Sequence, residues 1–274
     1  MTLQHLIITF NMPISHKHKA IFVHIPKCAG TTIEHYLLSD LMEKRQKNKQ
    51  KSKWMYAKKY LWGGGPGANM FWNGHWKHNE WTDAVQHLPI KYIQRVVDDK
   101  TYNNYYKFTF VRNPWSRAVS DYYWLMTDFP GQLMRNAIKY SFELDVNSTF
   151  TDYVRQMINI PKKHPLRRPG RKFLDKNKRH VHLNIPQKEY IVDDNGNNVM
   201  DYIGRVENFD NDFQKICTKL NIKYSSKFDR YNSPDAPNLP SRGHYTDHYT
   251  DETKQIIDTV YKCDIEYFNY KYGD

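Results

Sequence analysis

The chain has 274 residues, 39% of them hydrophobic and 15% aromatic, and a formal net charge of +12. That length and apolar content suffice to bury a real core in one domain, and an aromatic content that includes 21 tyrosines excludes a disordered basic protein. The cationic excess points to an anionic partner without choosing among nucleotide, polysaccharide, nucleic acid and membrane.

The N-terminal stretch holds one short apolar run, LIITF. A secretory signal needs roughly 7–15 apolar residues and a membrane span about 20, and no other stretch comes closer. The expectation is a soluble, cytoplasmic protein with no membrane span. AIFVHI (20–25) is a β-branched, apolar run suited to a buried parallel strand. From Thr31 to about Glu43, Ile33, Tyr36, Leu37 and Leu41 recur at helical spacing. PKCAGTT is therefore a strand-to-helix turn. YYKFTFVRNP (105–114) repeats the plan: KFTFV is a strand, Asn113 an N-cap and Pro114 the first helical residue, with WSRAVSDYYWLM continuing as helix. YIGRVEN (202–208) reads as a further short strand. A helix then starts at Asn208 or Asp210, with Phe213, Ile216, Cys217 and Leu220 on one face, and 250–270 reads as one C-terminal helix. Two strand–turn–helix units predict an α/β fold with a central, mostly parallel sheet flanked by helices.

Two stretches, 44–53 and 162–179, are dense in Lys and Arg. Such runs are commonly solvated loops; the functional alternative is a basic rim that gathers an anionic substrate. GGGPG (63–67) lacks a following Lys-Ser or Lys-Thr and a periodic helix, so it reads as a flexible turn. Cys28, Cys217 and Cys263 are too few for a disulfide framework or a Cys-rich metal site, though one Cys217–Cys263 bridge remains open. No His, Asp or Glu pair has convincing zinc spacing, so no metal is expected.

The turn Lys27-Cys28-Ala29-Gly30-Thr31-Thr32 has the makings of an anion cradle. A helix start offers N–H donors and the positive end of the helix dipole, and small residues let an anion approach. Lys27 adds a point charge; Thr31 and Thr32 add hydroxyls. The order differs from G-x-x-x-x-G-K-[ST], because here the lysine precedes the glycine, and no acidic residue is placed to hold Mg²⁺. In the second unit Arg112 ends a strand, and Ser116 and Ser120, four apart, share a helix face. An arginine fork plus a hydroxyl suits a phosphate monoester. Two cradles on one sheet suit a ligand with two separated phosphate groups.

Together HIPKCAGTT and FTFVRNPWSRAVSDYYW resemble the two nucleotide-binding motifs of the sulfotransferases that use 3′-phosphoadenosine 5′-phosphosulfate (PAPS), in the branch of the heparan/chondroitin-type carbohydrate sulfotransferases and their bacterial relatives. NGHW (73–76), DYIGRVENFDNDFQKIC (201–217) and 244–270 resemble further segments of that branch, in its order. The resemblance implies one P-loop-NTPase-like sulfotransferase domain over 1–274, with the basic stretches as insertions. It implies that Lys27 to Thr32 hold the 5′-phosphosulfate and that Arg112 and Ser120 hold the 3′-phosphate. Arg205 would support the nucleotide site, and Arg242 with Gly243 would form a loop closing over it. His75 would be the general base and Lys27 a second catalytic group. PAPS, with PAP as its product, would be the donor, no metal would be needed, and the acceptor would be a hydroxyl-bearing, anionic carbohydrate rather than a specific nucleic acid. His78 and His87 lie near His75 in sequence, whereas His24 reads as a packed strand residue. Trp62, Trp72, Trp76 and Trp81 surround the His75 segment as core or as a sugar-binding wall. A kinase and a basic polyanion or nucleic-acid binder are the competing classes. Mg-ATP preference would mark the first, and steeply salt-dependent nucleic-acid binding the second.

Overall fold

The computed structural model describes residues 14–30, 32–33, 87–126, 144, 147–157, 185–224 and 243–274. Among these, four strands form one sheet in the order β1-β2-β3-β4: β1 (Ile14–Ser15), β2 (Ala20–Val23), β3 (Tyr106–Val111) and β4 (Tyr202–Arg205). β2, β3 and β4 run parallel, with Phe22 beside Phe108 and Phe110 beside Gly204. β1 is a short antiparallel edge, joined to β2 by the turn at 16–19. The expected α/β fold with a mostly parallel sheet is what the chain forms. β1, only two residues long, has no legible pattern of its own.

All four residues of β2 are buried, as are the last five of β3. A strand covered on both faces is apolar along its whole length rather than alternately, which is why AIFV and FTFV read as continuous runs. The polar member, Thr109, is fully buried, and its hydroxyl donates to the carbonyl of Val23 at 2.6 Å. That bond joins β3 to the last residue of β2, just below the cradle.

Helices α1 (Ile90–Val96) and α2 (Asp99–Asn104) precede β3, and α3 (Pro114–Met126) follows it. The Asn113 side-chain oxygen accepts from the N–H groups of Trp115 and Ser116 at 3.1 and 3.2 Å, so the expected N-cap forms. α4 (Phe150–Met157) and the short α5 (Lys188–Ile191) come before β4. After β4, residues 206–208 form a 3₁₀ turn instead of continuing the strand. α6 (Phe209–Lys219) then starts with Asn208 at its cap position and buries Phe213, Ile216 and Cys217, the face expected from the sequence. Phe209 stacks on Phe213, and Phe110 meets both, which seals α6 onto the sheet.

The C-terminal segment departs from the expectation of one helix. It is a 3₁₀ turn (Tyr245–His248), α7 (Asp251–Val260) and α8 (Lys262–Phe268). Tyr261 leaves helical geometry at φ −110° and ψ 23°, and its ring is buried. Ile257, Tyr261, Asp264 and Phe268 keep helical spacing across the break and all are buried, so the interruption at Tyr261 is not marked in the apolar pattern. The three cysteines are free thiols, with Cys217 buried and Cys263 exposed, so the open Cys217–Cys263 pairing does not form. Among the described residues, no helix is long and apolar enough to cross a membrane, and no cluster of His, Cys, Asp or Glu is arranged to hold a metal.

Candidate anion-binding site

β2 and β3 are neighbours, and the turns leaving them lie side by side at their carboxyl ends. This is where an open α/β sheet offers its binding crevice. The first turn runs from Ile25. The Cys28 N–H donates to the Ile25 carbonyl at 3.3 Å, and the Ile33 N–H to the Ala29 carbonyl at 3.2 Å, so the turn passes directly into a helical turn. Lys27 and Ala29 are both left-handed, with φ of +66° and +61°. Non-glycine residues seldom adopt that region, and two within three positions curl the backbone into a concave nest at a helix start, a geometry that favours anions.

Gly30 sits against the edge of His24. A Cβ at this position would lie 1.9 Å from His24 Nε2. The His24 ring cannot easily retreat. It is buried, lies beside the Phe22 ring, and meets the His87 ring edge-on with centroids 4.4 Å apart. His24 is thus the packed residue expected from the sequence, and it is also the floor of the cradle. Gly30→Ala is expected to destabilise the fold by about 1–3 kcal/mol through overpacking, read from urea unfolding, and to cost much less when made in a His24→Ala background. A Gly30→Ala protein as stable as wild type would mean that the ring yields without cost.

His87 Nδ1 donates to the His24 carbonyl at 3.0 Å. Burial, reinforced by the neighbouring His24, holds its imidazole well below the usual histidine range, so the ring is neutral. The Cys28 side chain turns into the core, where burial pushes its thiol up to about 12. It stays protonated and donates to Gln187 Oε1 at 3.3 Å, so Cys28 contributes backbone, not a nucleophile, to the cradle. Thr32 is buried at the helix start. The Lys27 ammonium lies 4.9 Å from the centroid of the Trp124 ring on α3.

The second turn carries Arg112. Its Nε donates to Ser116 Oγ at 2.9 Å and its Nη1 to the Lys27 carbonyl at 3.4 Å. The guanidinium therefore spans from one turn to the other. Ser116, rather than Ser120, is the hydroxyl that meets Arg112; Ser120 is half-buried one turn further along the same face. Asn113 contributes beyond its cap. Its N–H donates to Glu207 Oε1 at 2.6 Å, and its side-chain amide to the Lys271 carbonyl at 3.1 Å. Arg205 donates to the Phe268 carbonyl and lies 4.5 Å over the Tyr270 ring, while its N–H bonds Asp212 at 2.9 Å. The side-chain contacts tie Arg205 to the C-terminal segment, and its backbone to α6. Gly243 has φ +66°, and a Cβ there would lie 2.7 Å from Asp247 Oδ2, the atom that accepts the His244 N–H. Thr31, His75 and Arg242 lie outside the described residues, as do His78, the four tryptophans around His75, the GGGPG turn and both basic stretches.

Two residues of this region were not singled out from the sequence. Arg117, buried one helical turn after Asn113, donates from Nε to the Pro26 carbonyl at 3.0 Å, which pins the start of the cradle to α3. Gln187, from the segment before α5, bonds both Arg112 and Cys28. Arg117 had a signal in its position on the inner face of the helix after the second turn. Gln187 lies in IPQKEY, which carries no local pattern of a site.

The sequence matches the model of the sulfotransferase family over residues 11–271. Searches of curated proteins and of solved structures returned no significant match. With a family match spanning nearly the whole sequence, on a chain whose parallel sheet sets two strand-to-helix turns side by side, this chain belongs to the sulfotransferase family and its chemistry is sulfuryl transfer.

Proposed function

We propose that the chain transfers a sulfuryl group from PAPS to a hydroxyl of a carbohydrate, without a metal. The observation that carries this reading is the Arg112 guanidinium, which reaches from the β3 turn to the Lys27 carbonyl of the β2 turn. A ligand with phosphate groups at both ends of a nucleoside suits two cationic turns joined in this way. The cradle of Lys27 to Thr32 receives the 5′ end, and Arg112, Ser116 and Ser120 receive the 3′-phosphate. Arg205, through its hold on the C-terminal segment, and Arg242 with Gly243 support the nucleotide side.

Bound PAPS supplies a sulfur centre that already carries an anionic leaving group. The residues then have three tasks. The nest and Arg112 orient the donor, which removes much of the entropic cost of reaching the transition state. Lys27, at the mouth of the nest, stabilises negative charge that grows on the departing phosphate. His75 takes the proton of the attacking hydroxyl, a task suited to a group of near-neutral pKa. In a single domain over 1–274, the positive charge of the stretches 44–53 and 162–179 suits an anionic carbohydrate acceptor. The acceptor assignment follows from the resemblance of NGHW and 201–217 to the carbohydrate branch.

Calorimetric titration with PAP, ADP and Mg-ATP tests the donor. Metal-independent preference for PAP is expected, and Arg112→Ala is expected to weaken PAP by about 10–100-fold, the weight of a charged hydrogen-bonding group. Preference for Mg-ATP would overturn the reading in favour of a kinase.

A further inference from the structure

Gln187 is fully buried, and both ends of its side-chain amide are engaged. Oε1 accepts the Arg112 N–H at 2.8 Å, and Nε2 donates to the Arg112 carbonyl at 2.8 Å. The β3–β4 ladder ends one residue earlier, where Val111 pairs with Arg205. Gln187 thus imitates a neighbouring strand for one residue beyond the sheet and fixes the backbone of Arg112. The same Oε1 accepts the Cys28 thiol at 3.3 Å. Gln187 is itself held from behind. Its N–H donates to Asp264 Oδ2 at 2.8 Å, and the next N–H, of Lys188, to Asp264 Oδ1 at 2.9 Å. Asp264 is fully buried on α8.

We propose that Gln187 is a positioning residue that couples the two anion-binding turns, one oxygen holding both the Arg112 backbone and the Cys28 side chain, with Asp264 as its anchor. Arg112 and the Lys27 nest then keep one relative geometry, and the distance between the two ends of the ligand is read by a rigid frame rather than by two independent turns. The coupling makes no direct contact with ligand. It rests on the PAPS reading only for the nucleotide arm of its test.

The test uses the full chain carrying Gln187→Leu, which keeps apolar bulk and removes the amide. In ligand-free protein, amide hydrogen exchange followed by mass spectrometry is expected to quicken by about tenfold or more across 27–30 and 112–116 together, with β2 and α6 unchanged. By calorimetry, preference for PAP over AMP, which measures the 3′-phosphate, is expected to fall by about tenfold or more. A variant that melts earlier, yet keeps wild-type exchange in 27–30 and wild-type PAP preference, would overturn the coupling and leave Gln187 an ordinary core amide. Wild-type protein that is folded but binds neither nucleotide would overturn the donor reading alone, because the exchange arm needs no ligand.

If Gln187→Leu does not fold, Gln187→Glu decides. Its ionised carboxylate confronts the Arg112 carbonyl with oxygen; its protonated form restores a donor. Exchange at 27–30 and 112–116, taken relative to wild type at each pH, is expected to be fast at neutral pH and to slow on acidification. Cys28, Arg112 and Asp264 bond Gln187 directly, and the charges of Arg117, Arg112, Glu207 and Asp264 act on its partner Cys28. Normalising to wild type removes their own titrations, Asp264 above all. Fast exchange that persists at low pH would overturn the proposal.

Discussion

A Lys27→Ala protein is expected to turn over about 10²–10³-fold more slowly than wild type, while its PAP affinity falls only about tenfold. The asymmetry follows from the proposed role. PAP lacks the transferred group, so its binding reports the ground-state charge contact, whereas turnover also reports charge that develops on the leaving phosphate. Alanine suits the comparison because Lys27 sits at φ +66°, a region that costs Ala and Lys about alike, so the backbone penalty is similar in both proteins. The Arg112 bond to the Lys27 carbonyl is also kept, since that acceptor belongs to the backbone. What is removed is the ammonium, together with its contact to the Trp124 ring. Steady-state kinetics with calorimetry separates the two effects. Turnover unchanged in folded protein would take Lys27 out of the chemistry and leave it a binding residue.

Replacing His75 by alanine is expected to lower turnover by about 10²–10⁴-fold with PAP affinity unchanged, the weight of one general base. In wild type the rate should rise with pH through the imidazole range, around a pKa of about 6.5, and this limb should vanish in His75→Ala. His87→Ala is the necessary companion. His87 is neutral, its Nδ1 proton is committed to the His24 carbonyl, and it stands beside the residue that floors the cradle. Its depressed pKa makes it a weak base, so His87→Ala is expected to act on the cradle and on stability rather than on the pH limb. If His87→Ala abolished the limb and His75→Ala did not, the base would be His87.

The sequence by itself determined the three parallel strands and the two turns that leave β2 and β3. AIFV and FTFV are apolar throughout because both faces of a central parallel strand are covered, and that covering leaves its mark in consecutive residues. The turns were legible for a similarly local reason. A helix start, small residues and a cation within a few positions mark the first turn, although its left-handed backbone at Lys27 and Ala29 was not written there, and Asn113 followed by Pro114 is a cap written in two residues. The buried face of α6 was readable from helical spacing alone.

The tertiary structure decided what joins these pieces. Gly30 is confined by the ring of His24, which reaches it across the turn, and Phe22 and His87 pack on that ring. Arg112 pairs with Ser116 and the Lys27 carbonyl because the β2 and β3 turns are neighbours, although 85 positions separate Arg112 from Lys27 in the chain. The C-terminal segment breaks at Tyr261 although its helical spacing runs on unbroken. Gln187 reaches Cys28 across 159 positions and Arg112 across 75, from a stretch whose local pattern suggests no role. A hydrogen bond between distant segments leaves no periodicity in either one, so composition and spacing cannot register it; it exists only once the sheet has brought the carboxyl ends of its strands together.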